Sequence, residues 1–243
     1  MRALAALLVL SLAGARAAPR LIYDGSVWKG PDVYRLTPPR PAEAARLTAG
    51  LRAAGIRTCG TVRIVRREEG RFTGNTPETL YLVLNCTPVE PAMLSMREPP
   101  GDLIVVRAGR VVVYEKNFAD GVTVLPSLDG GPLNEILAAY WSGPQMGEFS
   151  RYETLYRFGA GRLRRVVNLG PMYREVEPAQ GAPTVSVRTL WFDPVRPNRL
   201  SLIEYTSPSC PDCPNPERPY DPTRARRTLS LTLDLLAPPK DIP

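Results

Sequence analysis

From residue 61 onward the chain alternates short apolar runs with glycine and proline breaks, the pattern of β-strands joined by turns. Thr61–Arg67 alternates in part, and Leu80–Cys86 is almost continuously apolar. Leu103–Arg107 and Arg110–Tyr114 flank Ala108-Gly109, which predicts a tight hairpin. Glu153–Phe158 and Leu163–Asn168 flank Gly159-Ala160-Gly161 in the same way. Thr184–Phe192 and Leu200–Tyr205 flank a proline-rich turn, and Thr228–Leu235 alternates strictly. Near the start, Leu21-Ile22-Tyr23 has the composition of an edge strand.

One segment has the helical period instead. In residues 42–54, Ala44, Leu47, Leu51 and Ala54 fall on one stripe, with Pro41 at the start and Gly55 as the stop. The stripe is narrow, so the helix is expected to dock on a sheet. The predicted fold is therefore mainly β, a β-rich α+β chain. It consists of an antiparallel sheet, sandwich or meander with one N-terminal helix packed on it. The strands show no fixed repeat, which argues against a propeller or solenoid. Glu98-Pro99-Pro100-Gly101-Asp102 reads either as a loop within one domain or as a boundary. Two subdomains, about 18–118 and 119–243, are the alternative to a single domain.

The first seventeen residues are of another kind. Met1-Arg2 is positive, Ala3–Ala13 is apolar, and Ala15-Arg16-Ala17 offers a small-x-small cleavage site. That order is a secretory signal peptide, residues 1–17, which leaves an exported β-rich domain over 18–243. The apolar run is shorter than the ~20 residues that span a bilayer. No later stretch reaches that length, so no membrane span is expected after cleavage. The expected location is secreted or periplasmic.

Composition removes several chemistries. The 243 residues include no histidine, which excludes Ser-His-Asp and Cys-His nucleophile activation as ordinarily built, and histidine metal sites. The formal charge is +7, and all but Lys29, Lys116 and Lys240 of the 31 basic residues are arginines. Two basic clusters stand out: Arg162, Arg164, Arg165 and Arg174, then Arg218, Arg224, Arg226 and Arg227. They read as solvated strand faces able to meet anionic envelope polymers. No nucleic-acid motif accompanies them.

Four cysteines in an exported chain predict disulfides. If Arg67 pairs with Glu78 in a hairpin, Cys59 falls opposite Cys86, within bridging reach. Cys210 and Cys213 lie in IEYTSPSCPDC, which resembles the strand–CxxC entry of the thioredoxin family. That family continues into a helix, whereas here Pro214, Pro216 and Pro219 follow. The expected role is a disulfide that staples a proline-rich loop.

Val122–Ala138 (VTVLPSLDGGPLNEILA) resembles the calcium-loop hairpin of integrin-type FG-GAP or VCBS repeats. The resemblance places Ser127, Asp129 and Gly131 at successive ligand positions. Two of the three expected oxygens are absent or weakened, so an empty turn is expected, with no metal. Tyr140, Trp141, Tyr152 and Tyr156, with Phe149 and Phe158 in the same window, are the candidate ligand-binding residues, because rings on a β surface can stack on a ligand. Glu68, Glu69, Glu148, Glu153, Glu175, Glu177 and Asp193 are candidate carboxylates for acid–base work. The function expected first is a non-catalytic exported accessory or binding protein, needing no cofactor. Its partner would be an envelope polysaccharide or another exported protein. A carboxylate-dependent, glycosidase-like hydrolase comes second, and a thiol–disulfide protein third.

Overall fold

The computed structural model describes residues 18–27, 40–86, 100–145, 147–159, 161–179, 181–210 and 220–242. The predicted leader, the Cys210–Cys213 partner at position 213, and Arg218 lie outside them. Two antiparallel sheets and one α-helix make up the described chain. The fold is β-rich with a single helix.

The helix α1 (Pro41–Ala53) begins on proline and buries Ala44, Leu47, Thr48 and Leu51. Spacings of three and four residues place these on one face. That face packs on Val62, Ile64, Tyr81, Val83 and Ile104 of the first sheet. The sheet runs β2 (Arg63–Gly70), β3 (Glu78–Leu84), β4 (Gly101–Arg107) and β5 (Arg110–Ala119), in that order. β3 is buried on both faces, which explains its unbroken apolar run. The β4–β5 turn has positive φ at Ala108 (48°) and Gly109 (78°), as a two-residue type I′ turn requires. The stretch before Gly101 connects β3 to β4, which are paired neighbours in one sheet.

The chain enters the second sheet directly after β5. β6 (Gly121–Leu125), β7 (Glu135–Gln145), β8 (Glu148–Gly159), β9 (Arg162–Val176), β10 (Thr184–Phe192), β11 (Arg199–Pro208) and β12 (Arg226–Asp234) form a meander. β1 (Arg20–Asp24) pairs with β10, and the short β13 (Lys240–Asp241) pairs with β9. β9 pairs with β10 only over Tyr173–Val176. Where the two part, a 3-10 turn at Gly25–Val27 fits so closely that a Cβ on Gly25 would lie 2.1 Å from the Met172 carbonyl oxygen.

The sheets meet through one apolar layer. Phe72, Leu80, Leu82, Leu103 and Val105 from the first pack against Val122, Ile136, Ala138 and Phe158 from the second. The Phe72 and Phe158 ring centroids are 5.6 Å apart. Asn134 adds a polar tie: Arg71 N–H donates to its side-chain oxygen at 2.9 Å, and its own N–H donates to Arg71 O at 2.6 Å. A second core, including Leu137, Leu155, Leu190, Phe192, Leu202 and Leu233, draws on both ends of the meander.

Cys59 and Cys86 are bonded, with Cα atoms 4.7 Å apart. The expected strand register is not the one that forms. Gly70, not Arg67, faces Glu78, and a bulge lies between Ile64 and Arg66. β2 starts at Arg63 and β3 ends at Leu84, so both cysteines sit beyond the strands. Cys86 adopts positive φ (56°) to reach its partner. Glu78 sets the register: its carboxylate accepts the N–H groups of Phe72 and Thr73 at 2.7 and 2.6 Å. This fixes a shorter connection, residues 71–77, than the cysteine positions alone suggest. The bridge closes a separation of 27 residues, so the Cys59→Ser/Cys86→Ser variant is expected to lose about 3 kcal/mol through greater unfolded-state freedom. Urea unfolding of the two proteins checks this; equal midpoints would contradict it.

Candidate binding site

The β7–β8 register separates the four predicted aromatics. Ile136 faces Tyr156, Tyr140 faces Tyr152, and Trp141 faces Arg151. Alternation puts Tyr140, Tyr152 and Tyr156 on one side of the sheet and Trp141 on the other. Tyr140 and Tyr156 pack onto the apolar layer between the sheets, with their hydroxyls 3.3 Å apart. Tyr156 also meets Phe118 edge-on at 5.1 Å. Burial, then the neighbouring Tyr156 hydroxyl, drives the Tyr140 phenol well above its ordinary range. These two rings are committed to the interior, and the four do not form one platform.

Trp141 has a different set of neighbours. It stacks on Phe149 with centroids 4.9 Å apart and planes at 25°. The Arg151 guanidinium lies 5.7 Å from the Trp141 centroid and 5.9 Å from that of Tyr23. Arg151 also contacts Glu153 at 2.5 Å, and the Tyr23 hydroxyl donates to the same carboxylate oxygen. Phe149 meets Tyr173 edge-on at 6.3 Å. Burial, followed by the Glu153 charge, pushes the Tyr23 phenol well above its usual range. β1, β7, β8 and β9 thus bring together Tyr23, Trp141, Phe149, Arg151, Glu153 and Tyr173. Trp141 and Phe149 are half-buried, whereas Glu153 is fully buried. The face is therefore aromatic, with Arg151 largely buried among the rings and anchored by the Glu153 carboxylate. Spacing by two in Phe149, Arg151 and Glu153 is the signal for this face in the sequence. Tyr23 has no such signal, because β1 reaches it by pairing with a strand from the far end of the chain.

The candidate carboxylates are mostly engaged within the fold. Glu148 accepts from Arg174 at 3.0 Å and Ser150 at 2.9 Å, and the arginine hydrogen bond first of all lowers its pKa. Glu175 accepts from Tyr173, Glu68 from Arg66, Glu69 from Arg67, and Asp193 from the Val195 N–H. Glu177 is exposed.

In the β6–β7 loop, Asp129 accepts from Ser127 at 3.0 Å and from the Gly131 N–H at 2.7 Å. Arg157 lies 3.8 Å from Asp129 and 3.1 Å from Glu135, so a resident guanidinium balances both carboxylates. No group of three or more metal-ligating side chains occurs among the described residues. Glu135, which the sequence did not single out, is almost wholly buried; burial raises its pKa to about 7 against the pull of Arg157 and the Leu128 N–H.

β11 runs on through Pro208, and Ser209 bridges to Tyr220, closing the base of the loop that carries Cys210. Cys210 is disulfide-bonded. In the first basic cluster Arg165 pairs with Asp241 and Arg174 with Glu148, while Arg162 and Arg164 are exposed.

No known family model matches the chain, and no match was found among curated proteins or solved structures.

Two outcomes follow from the buried charges. Arg151→Ala strands Glu153 in the interior and is expected to cost about 3–5 kcal/mol, read by urea unfolding; a loss under about 1 kcal/mol would mark the pair as dispensable. Glu135 holds its proton more tightly in the folded chain than in the unfolded one. Its contribution to stability is full below about pH 4.5 and fades as pH rises through about 7. The wild-type melting temperature is expected to fall across that window, with the fall reduced in Glu135→Gln; parallel profiles would contradict this.

Proposed function

We propose that the protein is a non-catalytic, exported binding or accessory protein. It holds an envelope polysaccharide on the face formed by Trp141, Phe149 and Arg151. The observation that carries this reading is the half-buried indole–phenyl stack with a guanidinium held over the indole ring. Stacked rings offer an apolar surface, and Arg151, packed over the indole, supplies directed donors. Its pairing with Glu153 pre-orients those donors, which reduces the cost of ordering them on binding.

Export is supported by the leader pattern of residues 1–17 and by the Cys59–Cys86 bridge, since such bonds persist in oxidising compartments. No helix among the described residues is long and apolar enough to cross a membrane. A hydrolase finds less support, because Glu148 and Glu153 are held by arginines rather than left to exchange protons across a cleft. A thiol–disulfide role finds less support still, since Pro214, Pro216 and Pro219 follow the cysteines where the thioredoxin entry continues into a helix.

The test is a tryptophan-fluorescence titration with soluble peptidoglycan fragments, run beside an assay for newly released reducing ends. Saturable binding without release is expected, and Trp141→Ala should weaken it about tenfold, or about 1.4 kcal/mol. Release of reducing ends would favour the hydrolase reading. Undiminished binding by Trp141→Ala would remove the site from this face.

A further inference from the structure

The last strand of a sheet has one edge without a backbone partner, and folded chains usually block such edges with charges, bulges or short length. Most edges here are blocked in that way. β2 bears Arg63, Arg66, Arg67, Glu68 and Glu69, with a bulge between Ile64 and Arg66. β5 carries Arg110, Glu115 and Lys116 and pairs with β4 through two register shifts. β1 and β6 are five residues each. β12 differs from all of these. It runs for nine residues, and its strand partner among the described residues is β11 alone. Its stretch Thr228–Leu233 (TLSLTL) holds no charge, proline or glycine. The one bulge lies at Thr228, so Leu229–Asp234 keeps an unbroken register with β11.

The two faces of β12 are nearly symmetric about Ser230. On the side of the second core, Leu229, Leu231 and Leu233 face Glu204, Leu202 and Leu200; Leu233 is buried, but Leu229 and Leu231 are only half-buried. The other face carries Ser230, Thr232 and Asp234, all exposed. Arg227 joins that face. Ser230 lies opposite Ile203 and Arg227 opposite Tyr205, two residues on, and Arg227 donates to the Ser230 hydroxyl. Neither Arg227 nor Asp234 is in an ion pair among the described residues; Asp234 accepts the Leu236 N–H at 2.9 Å.

We propose that β12 pairs antiparallel with β12 of a second copy about a two-fold axis at Ser230, joining two nine-stranded sheets edge to edge. Leu229 of each copy then faces Leu231 of the other, which covers the leucines that one copy leaves half-open. On the opposite face, Arg227 of each copy comes beside Asp234 of the other, at both ends of the pair. Within one chain these two side chains stand about 23 Å apart along the strand, at ~3.3 Å per residue. Their opposite charges can therefore meet only between copies. The contact shares no residue with the Trp141 face and stands whether or not that face binds a glycan.

The test is analytical ultracentrifugation of the disulfide-intact protein from about 1 to 300 μM. A monomer–dimer equilibrium with a Kd of roughly 1–100 μM is expected, because a single strand edge is a small interface. Ser230→Lys sets like charges opposite each other on the axis and should weaken the dimer at least about tenfold. Ser230 is exposed, so the melting temperature of the dilute variant should be unchanged. Arg227→Asp and Asp234→Arg should each weaken the dimer about tenfold, and Arg227→Asp/Asp234→Arg should restore it to within about threefold of wild type. Arg110→Asp changes charge on the β5 edge and should leave the equilibrium unmoved. A monomer at every concentration, a dimer that Ser230→Lys leaves intact, an equal loss in Arg110→Asp, or single losses that add in the double reversal would each overturn the inference.

Discussion

The apolar layer between the two sheets is the contact on which the rest of the molecule depends. Four strands and a helix form one slab, and its inner face can leave water only by meeting β7, β8 and their neighbours. Ile136 and Ala138 give β7 a low profile opposite Leu82 and Leu103, while Phe72 and Phe158 fill the space at one side. Tyr140 and Tyr156 close the other. The same layer decides which rings of β7–β8 are drawn into the interior. Once Tyr140 and Tyr156 are drawn inward, alternation leaves Trp141, Phe149 and Arg151 on the opposite face.

Buried charges give the scaffold its definition. Glu78 holds the β2–β3 connection through two backbone N–H groups, and Asp102 binds the Tyr114 hydroxyl and the Asn117 N–H. Glu135 ties Leu128 to Arg157, whose guanidinium reaches Asn198 at the β10–β11 turn. Glu153 joins Tyr23 of β1 to Arg151 of β8. Glu78 and Asp102 hold local strand connections, Glu135 and Glu153 tie segments further apart in sequence, and a buried charge with fixed partners penalises other arrangements. These groups therefore act as structural anchors within the fold.

Features set by neighbouring residues were legible in the sequence. Ala108-Gly109 predicts its hairpin because two positive φ angles are needed there, and Thr184–Phe192 matches β10 end for end. The helical stripe of Ala44, Leu47 and Leu51 gives α1 to within a residue or two. What depends on distant partners was not legible. Cys59 and Cys86 do pair, but Glu78 and the bulge near Val65 set a register that the cysteines alone could not reveal. Tyr140 and Trp141 are adjacent in sequence and so cannot share a face of an unbroken strand. That separation becomes visible only when β7 is known to run from Glu135 to Gln145. A buried glutamate such as Glu135 or Glu153 looks like any surface carboxylate until its arginine is placed beside it.

If the layer between the sheets is the organising contact, the two sheets are one cooperative unit rather than two that melt apart. Differential scanning calorimetry of the disulfide-intact protein tests this directly. The account predicts a single transition whose calorimetric enthalpy equals its van't Hoff enthalpy, and Phe158→Ala should lower that one transition as a whole. Two resolved transitions, with Phe158→Ala shifting only one of them, would contradict it.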